Sequence, residues 1–330
     1  MTTDAIPIGV VGVGSLGYHH VRILRSLPGV RLVGVHDARP ERLAEVASAL
    51  EVDAEESLDA LLDRTRACVI AVPTEAHEDV ALAAVSRGID VLIEKPIAPT
   101  LAAADRILDE AERTGARVQI GHVERFNGVL RACEPFLDVP LFVECHRLAP
   151  FGPRGTDVDV VLDLMIHDLD LVMSVMRRPV TRISAVGVPV LTTSPDIANA
   201  RLEFEGGGVA NLTASRVSLE RMRKIRFFQR SGYMSLDLAA GTGEFLRLRE
   251  GVTLTPGTPP GAARLEEIIE HIALRSDGTE PLRAELESFI AALRDGTRVA
   301  VTGREGRDAL AVALEIVERI ESHVAHRNPA

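Results

Sequence analysis

The sequence contains very little lysine. Only Lys95 and Lys224 occur, so 35 of the 37 Lys and Arg residues are arginine. Arginine evidently serves wherever a plain positive charge is enough, and a retained lysine therefore suggests a task for a compact ammonium whose pKa can be tuned. The chain also lacks tryptophan, has 3% aromatic residues and carries a net charge of −11. This composition argues against nucleic-acid binding, which requires a basic face with stacking side chains.

Cysteines and long hydrophobic runs are scarce as well. Cys68, Cys133 and Cys145 show no CxxC or metal-ligand spacing, so we expect three reduced core thiols and no metal site. No apolar run approaches the roughly 20 residues of a membrane span, and the first residues lack the basic segment of a signal peptide. These absences predict a cytoplasmic protein without a membrane or nucleic-acid partner.

Short β-branched runs alternate with helical segments through the first third of the chain. This alternation predicts an α/β fold that begins with a doubly wound parallel sheet. After Gly121 several strands follow one another, separated by short turns such as Gly206-Gly207-Gly208, which predicts an antiparallel or mixed sheet. We therefore expect a dinucleotide-binding domain at residues 1–121 and a second domain at residues 122–330.

A glycine-rich turn follows the first predicted strand. Gly12, Gly14 and Gly17 have the GxGxxG spacing, where a tight turn, a pyrophosphate and a closely packed helix leave no room for a Cβ. Ser15 and Leu16 lie at the start of the following helix, whose free N–H groups would face the phosphates. These five residues are the predicted pyrophosphate site. The alternative is a glycine-rich turn of some other α/β protein.

An acidic residue at the end of the next predicted strand strengthens the dinucleotide interpretation. Asp37 lies 20 residues past Gly17, where a carboxylate accepts hydrogen bonds from the adenosine ribose hydroxyls. Its charge would repel a 2′-phosphate, so the sequence favours NAD over NADP. Arg39 keeps NADP open, because its guanidinium could turn to that phosphate.

Two further segments follow predicted strands. Glu94 and Lys95 come directly after the apolar run 91–93, at the carboxyl end of a strand, where open α/β sheets bind ligands, and both are predicted to contact the cofactor. The alternative for Lys95 is an ordinary surface lysine. Pro73 and His77 follow another strand and could pass beside the nicotinamide ribose. His77 could equally cap or pack against the helix that follows it.

A predicted helix at residues 159–176 is apolar around most of its circumference. Asp159, Asp163, His167 and Asp170, spaced by four, four and three residues, form one polar stripe on it. In a cleft, Asp163 could orient the imidazole of His167 and make it a general base. The alternatives are a solvated stripe and a satisfied core histidine. A metal site is disfavoured, since the pattern offers only two ligands.

The glycine fingerprint, Glu94-Lys95-Pro96 and the segment 163–167 together resemble the Gfo/Idh/MocA family of NAD(P)-dependent sugar and cyclitol oxidoreductases. The resemblance covers nearly the whole chain. It implies a Rossmann domain followed by a substrate-binding and oligomerisation domain with an open, mainly antiparallel sheet, and a homodimer or homotetramer. It also implies that Lys95 and His167 meet at the substrate carbinol, with Asp163 beside them.

Three segments resemble one subgroup of that family, the UDP-N-acetylglucosamine 3-dehydrogenases; they are residues 121–127, 163–170 and 214–216. This resemblance implies oxidation of C3 to a ketone for later transamination in lipid A precursor synthesis. It also implies that Glu124, Arg125, Asn127 and Arg216 lie on the substrate side of the nicotinamide. A dehydrogenase of a free cyclitol or aldose, and a non-catalytic NAD-binding regulator, remain the alternatives.

A basic run at residues 221–230 has no assigned role. Strand alternation would place Lys224, Arg226 and Arg230 on one face of a strand. They could bind the diphosphate of a sugar nucleotide, or they could form a solvated or subunit-facing surface.

Overall fold

The computed structural model describes residues 5–152, 158–252 and 262–327. Its chain groups into two compact units, of which the first comprises Met1–Arg125 and Glu280–Ala311 and the second Phe126–Thr279 and Val312–Ala330. The sequence suggested a single boundary at residue 121, and the structure differs by grouping residues 280–311 with the first unit. The cause is apolar packing, since Leu286, Phe289 and Leu293 are buried in the core of that unit.

The first unit contains a five-stranded sheet in the order β2-β1-β3-β4-β5, and every neighbouring pair is parallel. The strands are β1 Ile6–Val11, β2 Val30–His36, β3 Ala67–Ile70, β4 Asp90–Glu94 and β5 Val118–Gly121. The helices are α1 Ser15–Leu24, α2 Pro40–Leu50, α3 Leu58–Leu62, α4 His77–Val85, α5 Leu101–Thr114 and, late in the sequence, α9 Pro281–Asp295. The predicted doubly wound parallel sheet is confirmed.

Strand order and burial together locate the binding edge of this sheet. Strands β3 and β4 are buried along their whole length, as expected for parallel strands covered by helices on both faces. The order of strands reverses between β1 and β3. Ligands of such sheets bind outside the carboxyl ends of the strands at this reversal. The turns after β1 and β3 begin at Gly12 and Ala71, so the glycine fingerprint lies at the expected place.

The second unit contains an eight-stranded sheet in the order β13-β12-β11-β10-β6-β9-β8-β7. Only β6 and β9 pair in parallel among its described strands, so the predicted mainly antiparallel sheet is confirmed. The strands are β6 Phe142–Leu148, β7 Val180–Val188, β8 Ile197–Phe204, β9 Val209–Ser215, β10 Met222–Gln229, β11 Gly232–Asp237, β12 Thr242–Leu248 and β13 Ile269–Arg275. The other α-helices are α6 Gly128–Cys133, α7 Ile166–Met176, α8 Ala262–Ile268 and α10 Gly303–Arg327, of which the residues up to Ala311 belong to the first unit.

One face of this sheet is buried and the other is more accessible. On β10, Ile225 and Phe227 are fully buried, whereas Lys224 and Arg226 alternate with them on the opposite face, as strand geometry requires. Arg226 donates from Nη1 to Glu144 Oε2 at 2.8 Å across the strand pair. Arg230 lies one residue beyond the end of β10 and so outside this alternation.

All three cysteines of the chain belong to the described residues. Cys68, Cys133 and Cys145 are free and buried, and burial raises the pKa of the Cys68 thiol to about 12. Within the described part of the chain, no helix has the length and apolar composition to cross a membrane. The same residues hold no group of three or more His, Cys, Asp or Glu side chains arranged to bind a metal ion.

Candidate functional site

The glycine turn after β1 is formed by residues that cannot be larger. Gly12 has a φ of +84°, and a Cβ there would lie 2.6 Å from the Ala71 carbonyl oxygen. A Cβ on Gly17 would lie 1.9 Å from the carbonyl oxygen of Gly12, because α1 packs directly on the turn. At Gly14 the nearest atom would be Arg39 Nη2 at 3.8 Å, which leaves room for a ligand. The first turn of α1, which begins at Ser15, has no side-chain cap.

Asp37 lies directly after β2 and faces the glycine turn. Its carboxylate accepts hydrogen bonds from the Val13 N–H at 2.8 Å and from the Arg39 N–H and Nε at 2.9 and 3.1 Å. Burial acts to raise the pKa of Asp37, but the hydrogen bonds from Arg39 and Val13 outweigh it and lower the pKa below its ordinary value. The group is therefore a carboxylate at neutral pH.

Arg39 and Arg42 also contact the glycine turn. The side chain of Arg39 is 64% exposed and pairs with Asp37, a contact that the sequence analysis did not predict. Sequence reasoning missed Arg42, which donates from Nε to the Val13 carbonyl at 2.9 Å and so anchors the turn. No motif distinguishes Arg42 from the other helical arginines, and only the folded turn shows its role.

The segment Glu94-Lys95-Pro96 follows β4 at the same edge of the parallel sheet. Glu94 is buried, and its Oε1 lies 2.6 Å from Nε2 of His20 on α1, a residue that the sequence did not single out. A Cβ on Gly121, at the end of β5, would lie 2.8 Å from Glu94 Oε2. Lys95 is half-buried, and the peptide bond between Lys95 and Pro96 is cis.

His77, the first residue of α4, points into the protein. It is only 1% exposed; its Nδ1 lies 2.8 Å from the Pro96 carbonyl oxygen and its Nε2 3.0 Å from that of Val72. Burial lowers the pKa of His77, while both carbonyls and the charge of Glu94 oppose that shift. Pro73, by contrast, is exposed in the turn. Both ring nitrogens of His77 thus lie against main-chain oxygens. Its predicted contact with the cofactor stays a prediction.

The polar stripe of the second unit lies on an interrupted helix. Residues Val161–Met165 form a π-helical segment, after which α7 continues with normal geometry, whereas the sequence predicted a regular α-helix. The 3.6-residue pattern cannot reveal such a turn, which often occurs at functional sites. Asp163 lies in the π segment and His167 is the second residue of α7; both are half-buried. Asp170 is buried, so the stripe is not evenly solvated.

A buried ion pair holds α7 on the sheet. Arg147 of β6 donates from Nε and Nη2 to the two carboxylate oxygens of Asp168 at 3.0 and 2.7 Å, and both side chains are buried. Asp168 directly follows His167 in sequence, so this bidentate pair fixes the rotation of the helix that carries the predicted base. Asp159 begins the turn by accepting the Val161 N–H at 2.7 Å. Burial raises the pKa of Asp159.

The residues predicted on the substrate side have different surroundings. Glu124 is buried, and Arg125 Nη2 lies 3.9 Å from Glu305 Oε1. Asn127 is the N-cap of α6, where it accepts the Val129 N–H at 3.2 Å and donates to the Leu238 carbonyl at 3.0 Å. An asparagine before a short apolar run is a recognisable cap signal, so this structural role could have been predicted.

Arg216 is buried in a network of its own unit. It donates from Nε to Asp196 Oδ1 at 2.9 Å, from Nη1 to the Val158 carbonyl at 2.6 Å and from Nη2 to Ser194 Oγ at 2.9 Å. Asp196 also accepts the N–H groups of residues 190, 191 and 192. Arg216 therefore holds this loop and the chain just before Asp159. Its predicted contact with substrate stays a prediction.

Comparison with known proteins gives consistent matches. A family model described as an oxidoreductase family with an NAD-binding Rossmann fold matches residues 6–122, and one described as the GFO/IDH/MocA C-terminal domain matches residues 140–234. The chain is 36% identical over 315 residues to the UDP-N-acetylglucosamine 3-dehydrogenase of Acidithiobacillus ferrooxidans, covering 95% of this chain and 97% of that protein. It is 28% identical over 328 residues to an inositol 2-dehydrogenase of Burkholderia ambifaria, covering 94% and 91%.

Solved structures show the same relationships. A structure of the Acidithiobacillus ferrooxidans UDP-N-acetylglucosamine 3-dehydrogenase superimposes with a TM-score of 0.88 at 35% identity, covering 96% of this chain and 98% of that one. A putative myo-inositol dehydrogenase from Sinorhizobium meliloti superimposes with a TM-score of 0.78 at 21% identity, covering 96% and 98%. The second similarity concerns the fold alone.

Proposed function

Since this chain belongs to the GFO/IDH/MocA family of oxidoreductases and carries the NAD-binding Rossmann domain of that family, we propose that it is an NAD-dependent dehydrogenase that oxidises a sugar hydroxyl to a ketone. The observation that carries the proposal is the combination of a turn in which Gly12 and Gly17 have no room for a Cβ with a buried, ionised Asp37 beside it. The predicted catalytic residues Lys95, Asp163 and His167 accompany it in the sequence.

The residues at the glycine turn fit NAD. Gly12 and Gly17 give the close backbone that a pyrophosphate needs, and the N-cap of α1 is Gly14, which makes no side-chain cap that would compete with it. The Asp37 carboxylate would accept hydrogen bonds from the ribose hydroxyls and would repel a 2′-phosphate. NADP is therefore the less favoured cofactor, although Arg39 is close to the same position.

The proposed chemistry needs one base and one cation. Bound NAD supplies the hydride acceptor. His167 takes the proton of the substrate hydroxyl as the C–H bond breaks, and the Lys95 ammonium donates a hydrogen bond to the developing alkoxide. Asp163 orients the imidazole and stabilises it once it is protonated. The hydroxyl proton thus ends on His167 and the carbon becomes a ketone.

For the substrate we propose UDP-N-acetylglucosamine, oxidised at C3. The support is the relative of that name, which is 36% identical over 95% of this chain. The product would be a 3-keto sugar ready for transamination, as in lipid A precursor synthesis. Glu124, Arg125, Asn127 and Arg216 are proposed to act on the substrate side. A free cyclitol is the second candidate, because the matches also include inositol 2-dehydrogenases.

We also propose a cytoplasmic homodimer or homotetramer. The three free thiols are consistent with a reducing compartment. The accessible face of the eight-stranded sheet carries a row of aromatic rings, with centroids of Phe142 and Phe228 5.3 Å apart and of Phe228 and Tyr233 4.9 Å apart. Phe228 is 37% exposed, which suits a surface covered by a second subunit.

The function is tested by incubating the purified protein with NAD and a panel of UDP-sugars and free polyols and following NADH. We expect NADH with UDP-N-acetylglucosamine and a product that reacts as a 3-ketone. If NADH forms only with inositol or glucose, the substrate is a free cyclitol or aldose and not a nucleotide sugar. A protein that binds NAD yet oxidises nothing in the panel, and instead binds a partner protein in an NAD-dependent manner, would be the regulator.

A further inference from the structure

Buried contacts constrain the segment on either side of Lys95 in the first unit. Glu94 contacts the buried His20, and Pro96 contacts the buried His77. We infer that His20 and His77 are positioning residues for Lys95, which hold its main chain from both sides so that the ammonium meets the substrate oxygen. This inference rests on the proposed dehydrogenase function, in which Lys95 contacts the reacting hydroxyl.

His77 connects two turns that are far apart in sequence. Its ring lies between the Val72 carbonyl, in the turn after β3, and the Pro96 carbonyl, in the turn after β4, at 3.0 and 2.8 Å. A neutral imidazole has one N–H to donate, so its tautomer decides which carbonyl receives it. Because Pro96 directly follows Lys95, the contact to its carbonyl restrains the main chain one residue beyond the lysine.

His20 acts on the other side of Lys95. Its Nε2 lies 2.6 Å from Glu94 Oε1, and the exposed fractions of the two side chains are 0% and 9%. The second carboxylate oxygen of Glu94 lies against Gly121, where a Cβ would approach to 2.8 Å. The Glu94 side chain is thus confined between α1 and the end of β5. The residue immediately before Lys95 is therefore as tightly held as the residue immediately after it.

Main-chain restraint matters for a lysine because its stem is long and flexible. A stem of four methylene groups fixes little by itself, so the position of the ammonium depends on where its Cα is held. A displacement of about 1 Å from the productive geometry is enough to lower a rate by about 10²-fold. Loss of either buried contact on the neighbours of Lys95 is therefore expected to lower kcat.

His77 offers a matched pair of substitutions. The amide nitrogen of Asn reaches about as far as Nδ1 of His, and that of Gln about as far as Nε2. His77→Asn therefore keeps a donor for Pro96, whereas His77→Gln keeps a donor for Val72 and loses the Pro96 contact. We expect kcat to fall by about 10²-fold in His77→Gln and to recover to within about tenfold of the wild type in His77→Asn. The dissociation constant for NAD is measured for both variants, so that a loss of cofactor binding is distinguished from a loss in kcat.

A cycle with Lys95→Ala separates positioning from general stability. If His77 acts through Lys95, then His77→Gln lowers kcat in the wild type but adds no further loss in the Lys95→Ala background. Equal losses in both backgrounds would overturn the inference, since they would indicate an effect on the fold or on NAD alone. Equal kcat values for His77→Asn and His77→Gln would overturn it as well.

His20 gives a second test if the His77 variants do not fold. His20→Gln keeps an amide donor for Glu94 and His20→Ala does not, so we expect kcat to fall only in His20→Ala and only when Lys95 is present. A loss that is the same for both, or that persists without Lys95, would contradict the inference. The wild-type rate is measured first on the same substrate. A wild type without turnover overturns the proposed function and the inference with it, whereas turnover with additive losses overturns the inference alone.

Discussion

At the scale of single residues, the cofactor preference depends on the charge of Asp37. The carboxylate is fixed by the Val13 N–H and by Arg39, and its lowered pKa keeps it ionised throughout the neutral range. A negative charge at this position favours ribose hydroxyls and disfavours a 2′-phosphate. Arg39 already lies within 3.1 Å of that carboxylate, so removing the acid would leave a guanidinium at the position of the phosphate.

We therefore predict that Asp37→Ser reverses part of the cofactor preference. The NAD dissociation constant is expected to rise about tenfold, which corresponds to roughly 1.4 kcal/mol for a lost charge-assisted hydrogen bond, while NADP binding improves. Fluorescence titration with both cofactors gives the two constants. The double variant Asp37→Ser with Arg39→Ala is the control and should lose the gain in NADP binding. An unchanged ratio of the two constants would remove Asp37 from the cofactor site.

Some site residues could be predicted from local sequence and others could not. Gly12, Gly17 and Asp37 lie close together in the sequence of one βαβ unit, so their spacing alone predicts that they are neighbours in the fold. His20 and His77 were not assigned their partners, because His20 meets a residue 74 positions away and His77 meets main-chain carbonyls. A carbonyl carries no sequence signal, so these contacts become visible only in the folded chain.

At the scale of elements, two buried ion pairs of the second unit determine how its functional helix is held. Arg147 and Asp168 attach α7 to β6, and Arg216 connects Asp196 with the carbonyl of Val158 at the start of the helical region. Periodicity predicted the helix but not its π segment, because a helix that is apolar around most of its circumference shows no clear shift of its apolar face when a turn gains one residue. The resemblance implied a substrate contact for Arg216, which stays a prediction, but the sequence did not reveal its buried partner Asp196, which lies 20 residues earlier.

We predict that Asp196→Asn destabilises the protein by about 3 kcal/mol, because it leaves the buried Arg216 without its counter-charge. Burial opposes ionisation of Asp196, but hydrogen bonds from three loop N–H groups and Arg216 hold its pKa far below the ordinary value. A depressed pKa gives stability that is full above the unfolded pKa of about 3.9 and is lost as the pH falls through the folded value.

Denaturant unfolding at several pH values tests this prediction. The difference in unfolding free energy between the wild type and Asp196→Asn should be constant above about pH 5 and should shrink as the pH falls below about 4. Asp53→Asn is a suitable control, because the Asp53 side chain is 72% exposed and should contribute no more than about 1 kcal/mol. A difference that does not depend on pH down to acid conditions would contradict the role of the carboxylate.

At the scale of the whole molecule, the sequence predicted the architecture of both units but not which helices belong to each. Strand and helix alternation was enough for the parallel sheet and the mainly antiparallel one. The placement of α9 in the first unit was not predicted, since it depends on Leu286 and Phe289 packing into a core built mainly from residues 6–92. Contacts between residues so far apart in the sequence leave no periodic pattern in it.

The accessible face of the eight-stranded sheet leads to a prediction about assembly. If a second copy covers this face, Phe228→Glu would bury an unpaired charge in the interface and shift the protein toward smaller species. Leu219→Glu is the control, because Leu219 is 100% exposed outside the sheet. Light scattering after size exclusion should show a dimer or tetramer for the wild type and the control. A monomeric wild type would contradict the proposed assembly.

The proposed chemistry depends on a primary amine and an imidazole acting on one hydroxyl, and single-turnover NADH formation measures this most directly. With NAD bound and UDP-N-acetylglucosamine added, His167→Ala should react about 10² to 10⁴ times more slowly than the wild type, and Lys95→Ala at least as slowly. His167→Ala should bind NAD as the wild type does. Undiminished hydride transfer in either variant would contradict the assignment of these residues as the catalytic pair.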